Sequence, residues 1–114
     1  MADPTAKSRI TLHPHTRRES ILDGDTSIAD TRNAIELREP SYSHRQYIPR
    51  ADVDMPKLSV SSIVTYCPFK GDTTYYSLPD SADVAWSYEW PIDEMQAIAG
   101  RLAFFANKVT EKVE

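Results

Sequence analysis

Cys67-Pro68-Phe69-Lys70-Gly71 places the one thiol of the chain three residues from a lysine, across a turn bounded by proline and glycine. A cysteine reacts as its thiolate, and a nearby ammonium lowers its pKa. Cys67 is therefore the candidate catalytic residue, as a nucleophile or a redox centre. Nucleophilic cysteines also need a base, and His44 is a histidine that folding could bring near. The plainer reading is a small hydrophobe at a strand end, because free cysteine is among the most buried residue types. Lys70 likewise has two readings. It is a cation at a pocket mouth, suited to a carboxylate, phosphate or amide, or a solvated turn residue beside a glycine that takes positive φ.

A second set of residues follows the turn. Tyr75, Tyr76, Trp86, Tyr88 and Trp90 give two strongly aromatic stretches. Successive strand residues face opposite ways, so Trp86, Tyr88 and Trp90 share one parity and Tyr75 opposes Tyr76. If Tyr75 and Trp86 point the same way they wall a pocket for a flat or cationic ligand. Otherwise they are core, with their polar tips at the rim. Tyr47, Arg50 and Asp52 in "YIPRAD" form a third set. Arg50 and Asp52 either bracket a polar ligand or make a surface ion pair worth under about 1 kcal/mol. The ion pair is the simpler expectation. His13 and His15 in "HPH" have metal-ligand chemistry but no third ligand nearby in sequence. One cysteine cannot form an internal disulfide or a paired-cysteine zinc site. No metal and no cofactor is expected.

The elements that must hold these residues are mostly strands. Asp23-Gly24, between Ile21-Leu22 and Ile28-Ala29, is a hairpin signal. "NAIELRE" alternates as a half-buried strand does. "RQYIPR" is a strand that Pro49 limits to an edge or an ending. "ADVDMPKL" is a connector with one helical turn near Asp52. "SSIVTY", "TTYYSL" and "VAWSYEW" are rich in β-branched and aromatic residues. About seven short strands separated by turns point to an antiparallel sandwich or open barrel. Beyond Asp93 the apolar positions Met95, Ile98, Leu102, Phe105 and Val109 recur at threes and fours, the stripe of a helix over about 93–112. Asp93 and Glu94 suit its N-terminal end, and Lys108 and Lys112 its far end. Residues 1–14 are polar with two prolines and no clear period beyond a short edge strand at Ile10 and Leu12, and residues 1–18 are expected to be a flexible arm. Residues 19–114 form a single domain.

The 114 residues suit one domain with a real core. Net charge is −4, and all of it comes from residues 58–114. With pI near 5.3 and arginines scattered along the chain, nucleic-acid binding is not expected. No apolar run reaches the ~18 residues of a membrane span, and the first residues lack the apolar stretch of a secretory signal. A cytoplasmic location without membrane association is the expectation, with a homo-oligomer left open.

The stretches "IADT" (28–31), "YIPRADV" (47–53), "TYCPFKGDTTYYS" (65–77), "AWSYEWP" (85–91) and "AIAGRLAFF" (97–105) resemble the bacterial and fungal family called domain of unknown function 427. The likeness runs from about Glu19 to Lys108. It implies a fold similar to the β-tent, also termed Mss4-like, in which two antiparallel sheets lean together. Many relatives of that fold hold zinc through two cysteine pairs, which this sequence lacks. The family is sometimes labelled a nucleotidyltransferase, yet the sequence has no Gly-Ser pair to go with Asp-x-Asp carboxylates, as two-metal nucleotidyl transfer would need, and no Walker-type loop.

The fold class is thus α+β and mainly β, an antiparallel β-tent-like domain with one C-terminal helix. The leading functional reading is a small polar or aromatic ligand held near the CPFKG turn by Lys70, Tyr75, Trp86, Tyr88, Arg50 and Tyr47. The alternatives are an enzyme using Cys67 and a protein-interaction module using a sheet edge or the helix.

Overall fold

Asp23-Gly24 makes the turn that its residue types demand. Gly24 takes φ +60°, and the chain reverses from β2 (Glu19–Asp23) into β3 (Thr26–Thr31). The computed structural model describes residues 10–67 and 71–114, without the side chains at 62–64 and 67. Lys70 lies outside the described residues. The other strands are β1 (Thr11–His15), β4 (Ala34–Arg38), β5 (Arg45–Tyr47), β6 (Ser59–Cys67), β7 (Gly71–Leu78), β8 (Ser81–Ser87), β9 (Leu102–Phe104) and β10 (Thr110–Val113). Short 3-10 turns occupy Arg50–Asp52, Met55–Lys57 and Asp93–Ile98.

The antiparallel, mainly-β architecture expected from the strand signals is present. The described strands pair into three sheets, ordered β1-β4-β5, β10-β2-β3 and β6-β7-β8-β9. The first and third join edge to edge where Ile48 and Leu102 exchange both backbone hydrogen bonds, at 2.8 and 2.9 Å. Seven strands therefore continue as one surface in the order β1-β4-β5-β9-β8-β7-β6. The β10-β2-β3 sheet packs on it through Ile21, Ile28 and Ala29, which meet Ile48, Tyr76, Val84 and Leu102 in one core. A second core gathers Leu37, Tyr47, Trp86, Tyr88, Met95, Ile98 and Ala103. Neighbouring residues at the joint, Tyr47 and Ile48 or Leu102 and Ala103, go to different cores, as strand alternation requires.

Two expectations are corrected. The helix over about 93–112 is absent. In its place stand the 3-10 turn Asp93–Ile98 and the strands β9 and β10. Gly100 at φ +70° stops helical progress. The free edge of β8 then takes Leu102–Phe104 as its partner. Met95 and Ile98 are buried as a helix stripe would have it, but the neighbours Leu102 and Ala103 are both buried, one in each core, as alternation along a strand gives. From Thr11 on the expected arm over 1–18 gives way to β1, which pairs with β4 over five residues at the sheet edge, in keeping with the short edge strand read at Ile10 and Leu12.

Candidate functional site

The β7–β8 hairpin sets the site, because its two faces carry different chemistry. Tyr75 stands opposite Trp86 in the register, so both side chains project to one face. Phe105, just past β9, packs on Trp86 with centroids 4.5 Å apart and stacks on Tyr75 at 6.4 Å, the planes 9° from parallel. The Tyr75 hydroxyl pairs with Thr65 Oγ1 at 2.9 Å. Below them Trp86 Nε1–H donates to the Tyr47 hydroxyl at 3.0 Å, with the rings edge to face, and Tyr88 lies 6.3 Å from Tyr47. Tyr47, Trp86 and Tyr88 are buried, while Tyr75 and Phe105 are half-buried. Burial above all holds the Tyr47 hydroxyl protonated far beyond the ordinary phenol range, with Tyr88 adding to the effect.

The cation on this face is Arg45, which the sequence did not single out. β5 carries it beside Tyr47, and its guanidinium lies over the Trp86 ring, 5.7 Å from the centroid. It has no hydrogen-bond or ion-pair partner among the described residues. The only cue in the sequence was parity, since Arg45 and Tyr47 share a face of one strand.

Arg50 lies on the opposite face of the hairpin. Its Nε–H donates to the Gly100 carbonyl at 3.1 Å, and an Nη2–H reaches Glu89 Oε2 at 2.5 Å. It also donates to the Tyr76 hydroxyl at 3.2 Å, with its Cζ over that ring at 5.5 Å from the centroid. Tyr76 and Ser87 donate to the same Glu89 carboxylate. The expected Arg50–Asp52 ion pair is therefore replaced. Arg50 pairs with Glu89, while Asp52 accepts from the Thr31 hydroxyl at 2.7 Å. Every strong acceptor near Arg50 is already engaged, which makes this cluster a brace between the 50–52 turn and the hairpin. The structure thus brings Tyr47, Tyr75, Trp86 and Tyr88 together and holds Arg50 apart from them.

The CPFKG turn lies at the head of β7. Cys67 ends β6 opposite Gly71, and Gly71 bridges to Pro91. The Cys67 side chain and Lys70 lie outside what is described, so their place as nucleophile and pocket cation rests on the sequence.

The sequence reading missed one more group. Glu19 is 0% exposed, and neither carboxyl oxygen has a hydrogen-bond partner among the described residues. His15 Nε2 lies 3.2 Å from it, out of hydrogen-bonding alignment. On its other side His15 faces Glu36 at 3.7 Å, and Glu36 is held by Arg38 and Gln46. Burial, then the neighbouring Glu111 carboxyl and the charges of Glu111 and Glu36, push Glu19 up to about 8 against the pull of Arg17. The cue was its place two residues before Ile21, on the inward parity of β2. Among the described residues, no group of three or more His, Cys, Asp or Glu is arranged to hold a metal ion, the His13–His15 pair included.

The family model for the domain of unknown function DUF427 matches residues 11–114. The chain belongs to this family. The model's label abbreviates a nucleotidyltransferase, but its description assigns the DUF427 domain no function. A search of the curated proteins finds no match to this DUF427 chain. No helix among its described residues is long and apolar enough to cross a membrane.

Proposed function

We propose that this DUF427 domain binds a small planar anion, such as an aromatic carboxylate, on the Tyr75–Phe105–Trp86 face, with Arg45 as its charged partner. The supporting observation is the Arg45 guanidinium. It is half-buried, placed over the Trp86 ring, and free of any hydrogen-bonding partner among the described residues. A guanidinium presents its donors as a fork that matches a carboxylate. Its place over an aromatic ring restricts that fork beforehand, so less ordering is left to bear on binding. The half-buried Tyr75 and Phe105 rings supply the flat apolar surface beside it. Lys70, which precedes β7, is a second cation for the same ligand by sequence position.

The test uses tryptophan fluorescence in a Trp90→Phe background, where Trp86 is the sole indole. Benzoate, nicotinate and indole-3-carboxylate are titrated against the matching uncharged amides. Quenching by the acids, weaker by about tenfold or more in Arg45→Gln, supports the reading, since a charge-assisted hydrogen bond contributes roughly 1.5–3 kcal/mol. No response to any planar acid at millimolar concentration, or equal affinity in Arg45→Gln, overturns it.

A further inference from the structure

The sheet edges of this domain are unequally defended. Unpaired strand edges invite other strands, and proteins blunt them with proline, charge or a covering segment. The joined seven-strand surface ends at β1, which carries Pro14, and at β6. The β10-β2-β3 sheet ends at β10, whose Glu111 and Lys112 are charged, and at β3, where Val53 and Asp54 pair with Ala29 and Ile28. Among the described residues β6, the nine residues SVSSIVTYC, has no proline, no charge and no covering strand on its outer edge, and its one interruption is the slip in its pairing with β7. It also carries two of the large apolar side chains left in solvent, Val60 at 66% exposure and Tyr66 at 68%.

Those two residues sit three positions either side of Ile63. An antiparallel pair of β6 strands related by a two-fold axis at Ile63 sets Val60 of each copy opposite Tyr66 of the other. The pairing of β6 with β7 slips between Val60 and Val64, from Val60↔Tyr76 to Val64↔Thr74. The slip adds two residues to β6, an even number, so Val60 and Tyr66 keep a common face. The irregular segment falls on the proposed axis, where each copy presents the same one.

We infer that β6 is a self-pairing edge through which two copies of this chain form an antiparallel two-fold dimer, with Val60 packed on Tyr66 at each end. Two aromatic–β-branched cross-strand pairs are then buried per dimer, and the same patch serves both partners, as two-fold symmetry requires.

Light scattering after size exclusion, over a concentration series, reads the assembly. The expected result is a concentration-dependent dimer. Tyr66→Lys, at a site already in solvent, should weaken it by on the order of tenfold while leaving the circular dichroism and melting temperature of the monomer unchanged. The register has its own test. Val60→Cys/Tyr66→Cys in a Cys67→Ser background should form covalent dimers on mild oxidation. A protein that stays monomeric to about 1 mM overturns the inference. So does a dimer that ignores Tyr66→Lys, or one that fails to cross-link through positions 60 and 66.

Discussion

The Tyr47 hydroxyl is the hinge of the aromatic cluster. It accepts the Trp86 indole N–H in a site closed to water. Removing it leaves a buried donor with nothing to meet, which costs more than a neutral hydrogen bond contributes when formed. Tyr47→Phe should destabilise the domain by roughly 1–3 kcal/mol, measured by urea unfolding. It should also loosen Trp86, visible as a red-shifted and broadened emission in the Trp90→Phe background. Equal stability would mean that the indole finds another acceptor. Sequence could nominate Tyr47, Trp86 and Tyr88 as a set, because aromatic residues at one strand parity seek one core. It could not choose between Arg45 and Arg50 as their cation. Both lie within three residues of Tyr47, and the choice depends on Glu89 and Gly100, which arrive from distant parts of the chain.

At the level of elements, Gly71 fixes how the CPFKG turn enters β7. It takes φ +119°, and a Cβ there would stand 3.0 Å from both Pro91 Cα and the Trp90 carbonyl oxygen. Both the conformation and the space exclude a side chain. Gly24 and Gly100 also have positive φ, but a Cβ at either meets nothing within 4 Å. Gly71→Ala should therefore cost more than Gly24→Ala. About 2–4 kcal/mol is expected against about 1 kcal/mol, compared by thermal unfolding of the two variants. Equal losses would show that the segment at Trp90 and Pro91 yields to the added methyl. The Asp23-Gly24 hairpin and the aromatic strands were legible from their residue types. The C-terminal segment was not. Short apolar runs fit helical and strand periods alike, and what decides for β9 is an unfilled edge on β8 and a partner at Ile48, neither of which is local.

Across the whole molecule, the two layers meet over a charge. Glu19 of β2 faces His15 of β1, Glu36 of β4 and Glu111 of β10, with Arg17 nearby and His44 and Arg38 on the far side of Glu36. Its folded-state pKa of about 8 stands above the ordinary value of 4.5. Below 4.5 the folded and unfolded chains both hold this proton. Between 4.5 and about 8 only the folded chain does, so stability falls as pH rises through that window and levels off above it. Asp30 and Glu36 are shifted the other way, chiefly by hydrogen bonds from Arg18 and Arg38, and act only at more acid pH. Glu19→Gln keeps the shape without the charge. Its urea midpoint should stay flat from pH 5 to 8 where the parent declines, with a gap of roughly 2–4 kcal/mol at pH 8. A parent and variant with the same slope would place the titrating group elsewhere.

The stitch between Ile48 and Leu102 has a kinetic consequence. It joins residues half the chain apart, and Tyr47, Ile48, Leu102 and Ala103 deliver one residue of each neighbouring pair to either core. Neither hydrophobic cluster is complete until that distant pair has met. Loop closure of this length precedes the contacts that reward it, so folding should be slow for a chain this short. The two cores should then appear in a single concerted step, with no half-built species between.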